Sequence, residues 1–219
     1  MKKYLSPLLI CAIALPFLAS CAVIFPSGVL VQRDYYYQSF DSVVVSSTFN
    51  ATIIRSASSS ISVTADQAIA NYLDIHQTGS TLYIGLQPSV SSSSGMELNA
   101  NITLPYLVSL NVSGASSATA NSFSPTTFSA NVSGASTAVL AGMSVSQAYL
   151  DVSGASTLRS NSSSVGNAAV SVSGASTLNI PVAYNASGTV SGASTFIYGA
   201  NFPNLSGLIT TGASSSRPF

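Results

Sequence analysis

Charge is what this chain most lacks. Its 219 residues include six Lys or Arg, six Asp or Glu and one His. Downstream of Glu97 only Asp151, Arg159 and Arg217 are charged. Phosphate backbones are held by clustered basic side chains, and no basic stripe exists here, so nucleic acid is excluded as a partner. Cysteine is equally scarce, with only Cys11 and Cys21, both near the start. The bulk of the chain therefore has no disulfide or thiol chemistry and must be held by packing and backbone pairing. The solitary His76 cannot build a multi-His metal site, repeated acidic calcium sites are missing, and no cofactor is expected. Scarce charge does not mean disorder. A hydrophobic content of 47% is the reverse of the disordered signature, and Ser, Thr and Asn supply the polar surface instead.

The N-terminus reads as a targeting segment. Lys2 and Lys3 precede a short apolar run that ends in Leu18-Ala19-Ser20-Cys21. Charge, a short hydrophobic core and then small residues are the order of a secretory signal, here 1–20. Leu-Ala-Ser-Cys resembles the bacterial lipobox, which implies lipidation at Cys21 and a membrane partner through the acyl chains. Ala22, not Asp, follows the cysteine, and the expected location is the cell envelope, at the outer membrane. Residues 21–38 read as the lipidated end and a tether, with Tyr35 to Tyr37 packing on the first strands. The folded domain is expected over 39–219.

From Phe40 the pattern alternates with period two. "SVVVSS", "NATIIRS" and "SISVTA" predict short strands. "DQAIANYL" can hold one helical turn, "LDIHQTGSTLYIGL" predicts two strands around Thr78-Gly79-Ser80, and "MELNANITLP" alternates up to Pro105. Ser89 to Gly95 reads as a low-complexity loop.

A repeat then fills 106–216. Val-Ser-Gly-Ala-Ser begins at Val112, Val132, Val152, Val172 and Val190, and a relaxed copy runs from Thr210 to Ser214. Its glycines, Gly114, Gly134, Gly154, Gly174, Gly192 and Gly212, are spaced by 20, 20, 20, 18 and 20 residues. Apolar residues stand two, four and six positions before most of these glycines, with mostly polar ones between them. That is a strand with one dry face. A second strand starts at Ser117, Thr137, Thr157, Thr177 and Thr195. Gly-Ala-Ser is then a corner, where glycine allows a backbone angle that other residues resist. A fixed period near twenty without helical segments predicts an all-β, parallel β-solenoid (a β-helix), expected right-handed, whose N-terminal strands form the first rungs or a cap. Each turn has a perimeter of about 66 Å, and six rungs rise roughly 29 Å. Stacking also rationalises the missing charge, since like charges one rung apart would repel. A sandwich or barrel is the competing architecture.

Catalytic patterns are weak. Val-Ser-Gly-Ala-Ser shares letters with a nucleophile elbow, but it recurs, lacks the second glycine and has one His to serve all copies. Asp151 and Arg159 are the only charged pair within the repeat and read as a solvated pair, too little for polysaccharide cleavage. The sequons at Asn50, Asn101, Asn111, Asn131, Asn161, Asn185 and Asn204 reflect an Asn- and Ser-rich repeat.

The succession "FDSVVVSSTFNATIIR", "ISVTAD", "LDIHQTGSTLYIGL", "NITLPYLVSLNVSGAS" and further "SGAS" copies resembles the putative auto-transporter adhesin, head GIN domain family. The resemblance spans roughly Phe40 to Ser214. It implies a β-solenoid and an adhesin-like role without catalytic residues. The expected function is a non-enzymatic envelope lipoprotein that presents its Ser/Thr/Asn face to glycan or protein. The alternative is a structural element that self-associates through its open ends, and a carbohydrate-active enzyme is the least favoured reading.

Overall fold

The computed structural model describes residues 22–161, 163–199 and 204–218. The N-terminal part holds β1 (Ala22–Ile24), β2 (Leu30–Tyr35), β3 (Ser42–Val45), β4 (Asn50–Arg55) and β5 (Ser60–Asp66). A 3-10 turn, Ala70–Tyr72, precedes the antiparallel hairpin of β6 (Leu73–Thr78) and β7 (Thr81–Leu86). β8 (Val90–Ser92) and β9 (Leu98–Leu104) follow. Each repeat then gives two strands. They are β10 (Ser109–Val112) and β11 (Ser117–Asn121), β12 (Thr127–Val132) and β13 (Thr137–Ala141), and β14 (Ser144–Val152) and β15 (Thr157–Asn161). The last three pairs are β16 (Ser164–Val172) and β17 (Thr177–Ile180), β18 (Val182–Val190) and β19 (Thr195–Tyr198), and β20 (Asn204–Thr210) and β21 (Ser215–Pro218).

The strands form two long sheets that enclose one core. In the nine-stranded sheet the order is β20-β18-β16-β14-β12-β10-β3-β7-β6, and in the ten-stranded sheet it is β2-β5-β9-β4-β11-β13-β15-β17-β19-β21. Throughout the repeat the pairing is parallel and each residue faces its own copy. Leu110 pairs with Ala130, Ala130 with Leu150, and Leu150 with Val170. This is the stacked, solenoid-like all-β architecture that the glycine period predicts. A rung contributes one strand to each sheet, and the apolar columns meet between them. Val112, Val132, Val152, Val172 and Val190 are fully buried, as are Leu158, Leu178 and Phe196 from the opposite sheet. Burial of each such side chain contributes about 1.5–3 kcal/mol.

The 18-residue copy is absorbed at the corner opposite Gly-Ala-Ser. Arg159 pairs with Asn179, an offset of 20, but Val165 pairs with Val182, an offset of 17. A bulge between Val182 and Asn185 returns one residue, since Asn167 pairs with Asn185. The rung thus regains register before its core valine.

The N-terminal strands form both a rung and a cap. β3 and β4 pair in parallel with β10 and β11, in register with the first repeat. On their other side lie β7 and β9, also parallel. Beyond these the pairing turns antiparallel, with β6 on β7 and with β5 and then β2 outside β9. β2 lies within the span read as a tether, and it pairs with β5 along its whole length. The serine-rich stretch read as a loop contains β8, which pairs with β1. β2 covers the edge that β5 would otherwise leave open in the ten-stranded sheet, while β1 and β8 form a two-stranded sheet of their own. Tyr35 and Tyr37 pack against the core, and the Tyr37 hydroxyl donates to the Ile75 carbonyl at 3.0 Å, while Tyr36 is exposed.

Asp66, at the end of β5, fastens the N-terminal segment. It is buried, and its carboxylate accepts from the Ser27 hydroxyl at 2.7 Å and from the N–H groups of Ser27, Gly28 and Ala68. The Ser27 hydroxyl, helped by those N–H groups and opposed by burial, lowers the carboxyl from 3.8 to about 2. A depressed carboxylate adds stability that is complete above its unfolded value and is lost as pH falls through the folded one. The segment around Ser27 should therefore stay protected down to about pH 4 and loosen as pH falls through 2. Amide exchange of Ser27 and Gly28 against pH checks this, and Asp66→Asn should loosen them already at neutral pH.

Candidate functional site

At each corner the glycine has a left-handed backbone, with φ from +66° at Gly114 to +78° at Gly174. At Gly154, Gly174 and Gly192 the stacked corner leaves no room for a side chain. A Cβ on Gly192 would stand 2.6 Å from the Gly174 carbonyl oxygen, and one on Gly174 would overlap the Gly154 carbonyl oxygen still more closely. The serine two places on is not a surface residue. Ser116, Ser136, Ser156, Ser176 and Ser194 are only 1–2% exposed. The N–H groups of Ser116, Ser136, Ser156 and Ser176 donate to the hydroxyl of the next serine at 3.3–3.4 Å. Ser156, Ser176 and Ser194 in turn donate back to the glycine carbonyls of the preceding rung at 3.3 Å. The hydroxyls of Ser136, Ser156, Ser176 and Ser194 therefore serve the peptide groups of the corner. Reading the sequence by position marks the corner but not this burial. The available signal was that the position is always Ser, while the next one is Ser at 117 and 215 and Thr in the four copies between.

The outer face of the nine-stranded sheet is polar and in register. Asn111, Asn131, Asp151 and Ser171 form one column, and Ser109, Ser129, Tyr149 and Ala169 another. In a third column Asn185 Nδ2 donates to Asn167 Oδ1 at 2.7 Å. Tyr149 and Tyr184 rise from this face, 56% and 63% exposed. Beside Tyr149 lies a shallow hollow of about 440 Å³ over Ala169, Ser171 and Ser187. Beside Tyr184 lies another of about 340 Å³ over Gly166, with Gln147 and Asn167 in its wall. A more apolar cleft of about 880 Å³ sits at the far corner of the first rungs, lined by Phe40, Tyr106, Leu107 and Phe123 with Asp41 and Arg55.

The titratable candidates are not brought together. Asp151 on β14 and Arg159 on β15 belong to different sheets and are both exposed, so they face opposite sides of the solenoid. His76 is on β6, where its Nδ1 lies 2.8 Å from Asp74 Oδ1 and its ring stacks on Tyr83 with centroids 4.7 Å apart. These contacts hold the imidazole against its cross-strand partner Tyr83. Among the described residues no three metal-ligating side chains cluster, and no helix is long and apolar enough to cross a membrane. Cys21 lies outside the described residues.

The family model for the putative auto-transporter adhesin, head GIN domain, matches residues 39–201. Among solved structures, a putative adhesin from Bacteroides fragilis superposes with a TM-score of 0.73 at 14% identity, covering 90% of this chain and 100% of the other. A putative adhesin from Parabacteroides distasonis gives 0.59 at 14% identity, over 90% and 99%. A putative lipid binding protein from the same species gives 0.56 at 15% identity, over 90% and 100%. At such identities the likeness is one of fold. No curated protein matches the chain.

Proposed function

We propose, from the premise that this chain belongs to the putative auto-transporter adhesin, head GIN domain family, that it is a non-enzymatic binding module of the cell envelope. In this reading Cys21 carries the lipid that holds it at the outer membrane, and the outer face of the nine-stranded sheet meets a glycan or protein. One observation supports it above the others. In the repeat, this face repeats hydroxyl and amide groups in register from rung to rung, and Asp151 is its one charged side chain among the described residues. Such a lattice both donates and accepts hydrogen bonds without demanding a charged partner. The family description is one of binding rather than catalysis.

The test is binding of the full chain to immobilised oligosaccharides and matrix proteins, together with fractionation of cells that express Cys21→Ser. Retention on at least one ligand class, and loss of the variant from the membrane fraction, are the expected results. Absence of all retention would overturn the binding role, and a membrane-held Cys21→Ser would overturn the anchor. A second reading, self-assembly, is favoured by one feature. β20 and β21 each pair on one side only among the described residues, and Ile209 on β20 is exposed. Mass that rises with concentration in sedimentation would support end-to-end stacking.

A further inference from the structure

We infer that the two hollows flanked by Tyr149 and Tyr184 form one binding site for a neutral oligosaccharide. This inference rests on the binding-module reading and names its ligand class. Along the rungs from Ser109 onward, the exposed large apolar side chains among the described residues are Tyr149, Tyr184 and Ile209. Both tyrosines are on the nine-stranded sheet, on β14 and β18, and neither has a packing reason to be aromatic. Tyr149 shares its column with Ser129 and Ala169, small residues that leave the faces of its ring open. The other members of its column, Ser109, Ser187 and Gly207, are small as well.

The chemistry of the two hollows matches a sugar. A pyranose has an apolar C–H face and a rim of hydroxyls. The first stacks on an aromatic ring, and the second needs groups that both donate and accept. Gln147 and Asn167 supply such groups in one hollow, and Ser171 and Ser187 in the other. Gln147 and Tyr149 lie two residues apart on one strand, so the hollows are offset by about 6.6 Å along it. Tyr184 is on the second strand over from Tyr149, on the order of 10 Å away across the sheet. A ligand that fills both hollows must therefore extend beyond a single sugar. Charge selects among oligosaccharides. Asp151 borders the Tyr149 hollow, while Arg159 and Arg217 are on the other sheet. An anionic sugar would meet a carboxylate with no cation to offset it, so the neutral class fits.

The measurement is an array of neutral and acidic oligosaccharides probed with the full chain and with Tyr149→Ala, Tyr184→Ala and Tyr149→Phe. Neutral ligands should be retained, each alanine variant should weaken them about tenfold, and Tyr149→Phe should keep most of the binding. Both positions are exposed, and an unchanged thermal midpoint separates lost contact from lost fold. Glycan binding that ignores both alanine variants, or that prefers acidic sugars, would overturn the site. Retention on protein alone would also overturn it, yet leave the binding-module reading standing. Retention on neither class would overturn both.

Discussion

Gly174→Ala should cost the solenoid about 3 kcal/mol or more, while the same change at Gly114 should cost about 1. Both positions have a left-handed backbone, at φ +78° and +66°, so both variants lose by that alone. They differ in what lies beneath. The new methyl at 174 would overlap the Gly154 carbonyl oxygen, a backbone atom held by the rung below and by the Ala175 N–H at 2.8 Å. At 114 the nearest atom is the Ser47 backbone N, 3.1 Å away, and a few tenths of an ångström relieve it. The rung beneath Gly114 is the β3–β4 turn, where Ser47 and Thr48 take φ of +60° and +66° without any glycine. Amide exchange resolved by rung provides the readout. Gly174→Ala should lose protection first in β14 to β19, and equal losses for the two variants would show that stacked corners do not dictate glycine.

Ser156→Ala should destabilise by about 1–2 kcal/mol, whereas Ser116→Ala should be neutral or slightly stabilising. The Ser156 hydroxyl accepts from the Ser136 N–H and donates to the Gly134 carbonyl. Alanine would strand that buried N–H. Ser116 is at the foot of the ladder, and the residue below it in register is Phe49, whose N–H is turned to Ser46. Its hydroxyl is buried with no partner. Removal of an unsatisfied polar atom relieves a cost and removes no bond. Denaturant midpoints of the two variants decide the matter, and a Ser116 variant as damaged as the Ser156 one would mean that the ladder extends below its first visible bond.

The local strands were legible because period-two alternation reports which side of a strand is dry. "SISVTA" and "NATIIRS" show this directly in β5 and β4. The same alternation is blind to partner and direction. β5 and β4 flank β9, one antiparallel and one parallel, and nothing in either stretch says so. Nor does the order of the chain reveal that β3 and β4 stack between β7 or β9 and the first repeat, since that depends on contacts far apart in sequence. The tyrosines illustrate the same limit within the site. Tyr149 follows the outward parity of its strand, but Tyr184 is in a bulged stretch where parity slips, and only the register across β14, β16 and β18 brings them to one face.

By itself the sequence determined the rung, with its twenty-residue period, its glycine corner, its apolar column and its near-absence of charge. Each follows from a rule that acts within a few residues or between identical copies. Tertiary structure alone decided the mixed cap, the burial of the corner serines and the pairing of the two exposed tyrosines. Each of these depends on which peptide group lies one strand away, at a separation of about 4.8 Å that no local pattern encodes.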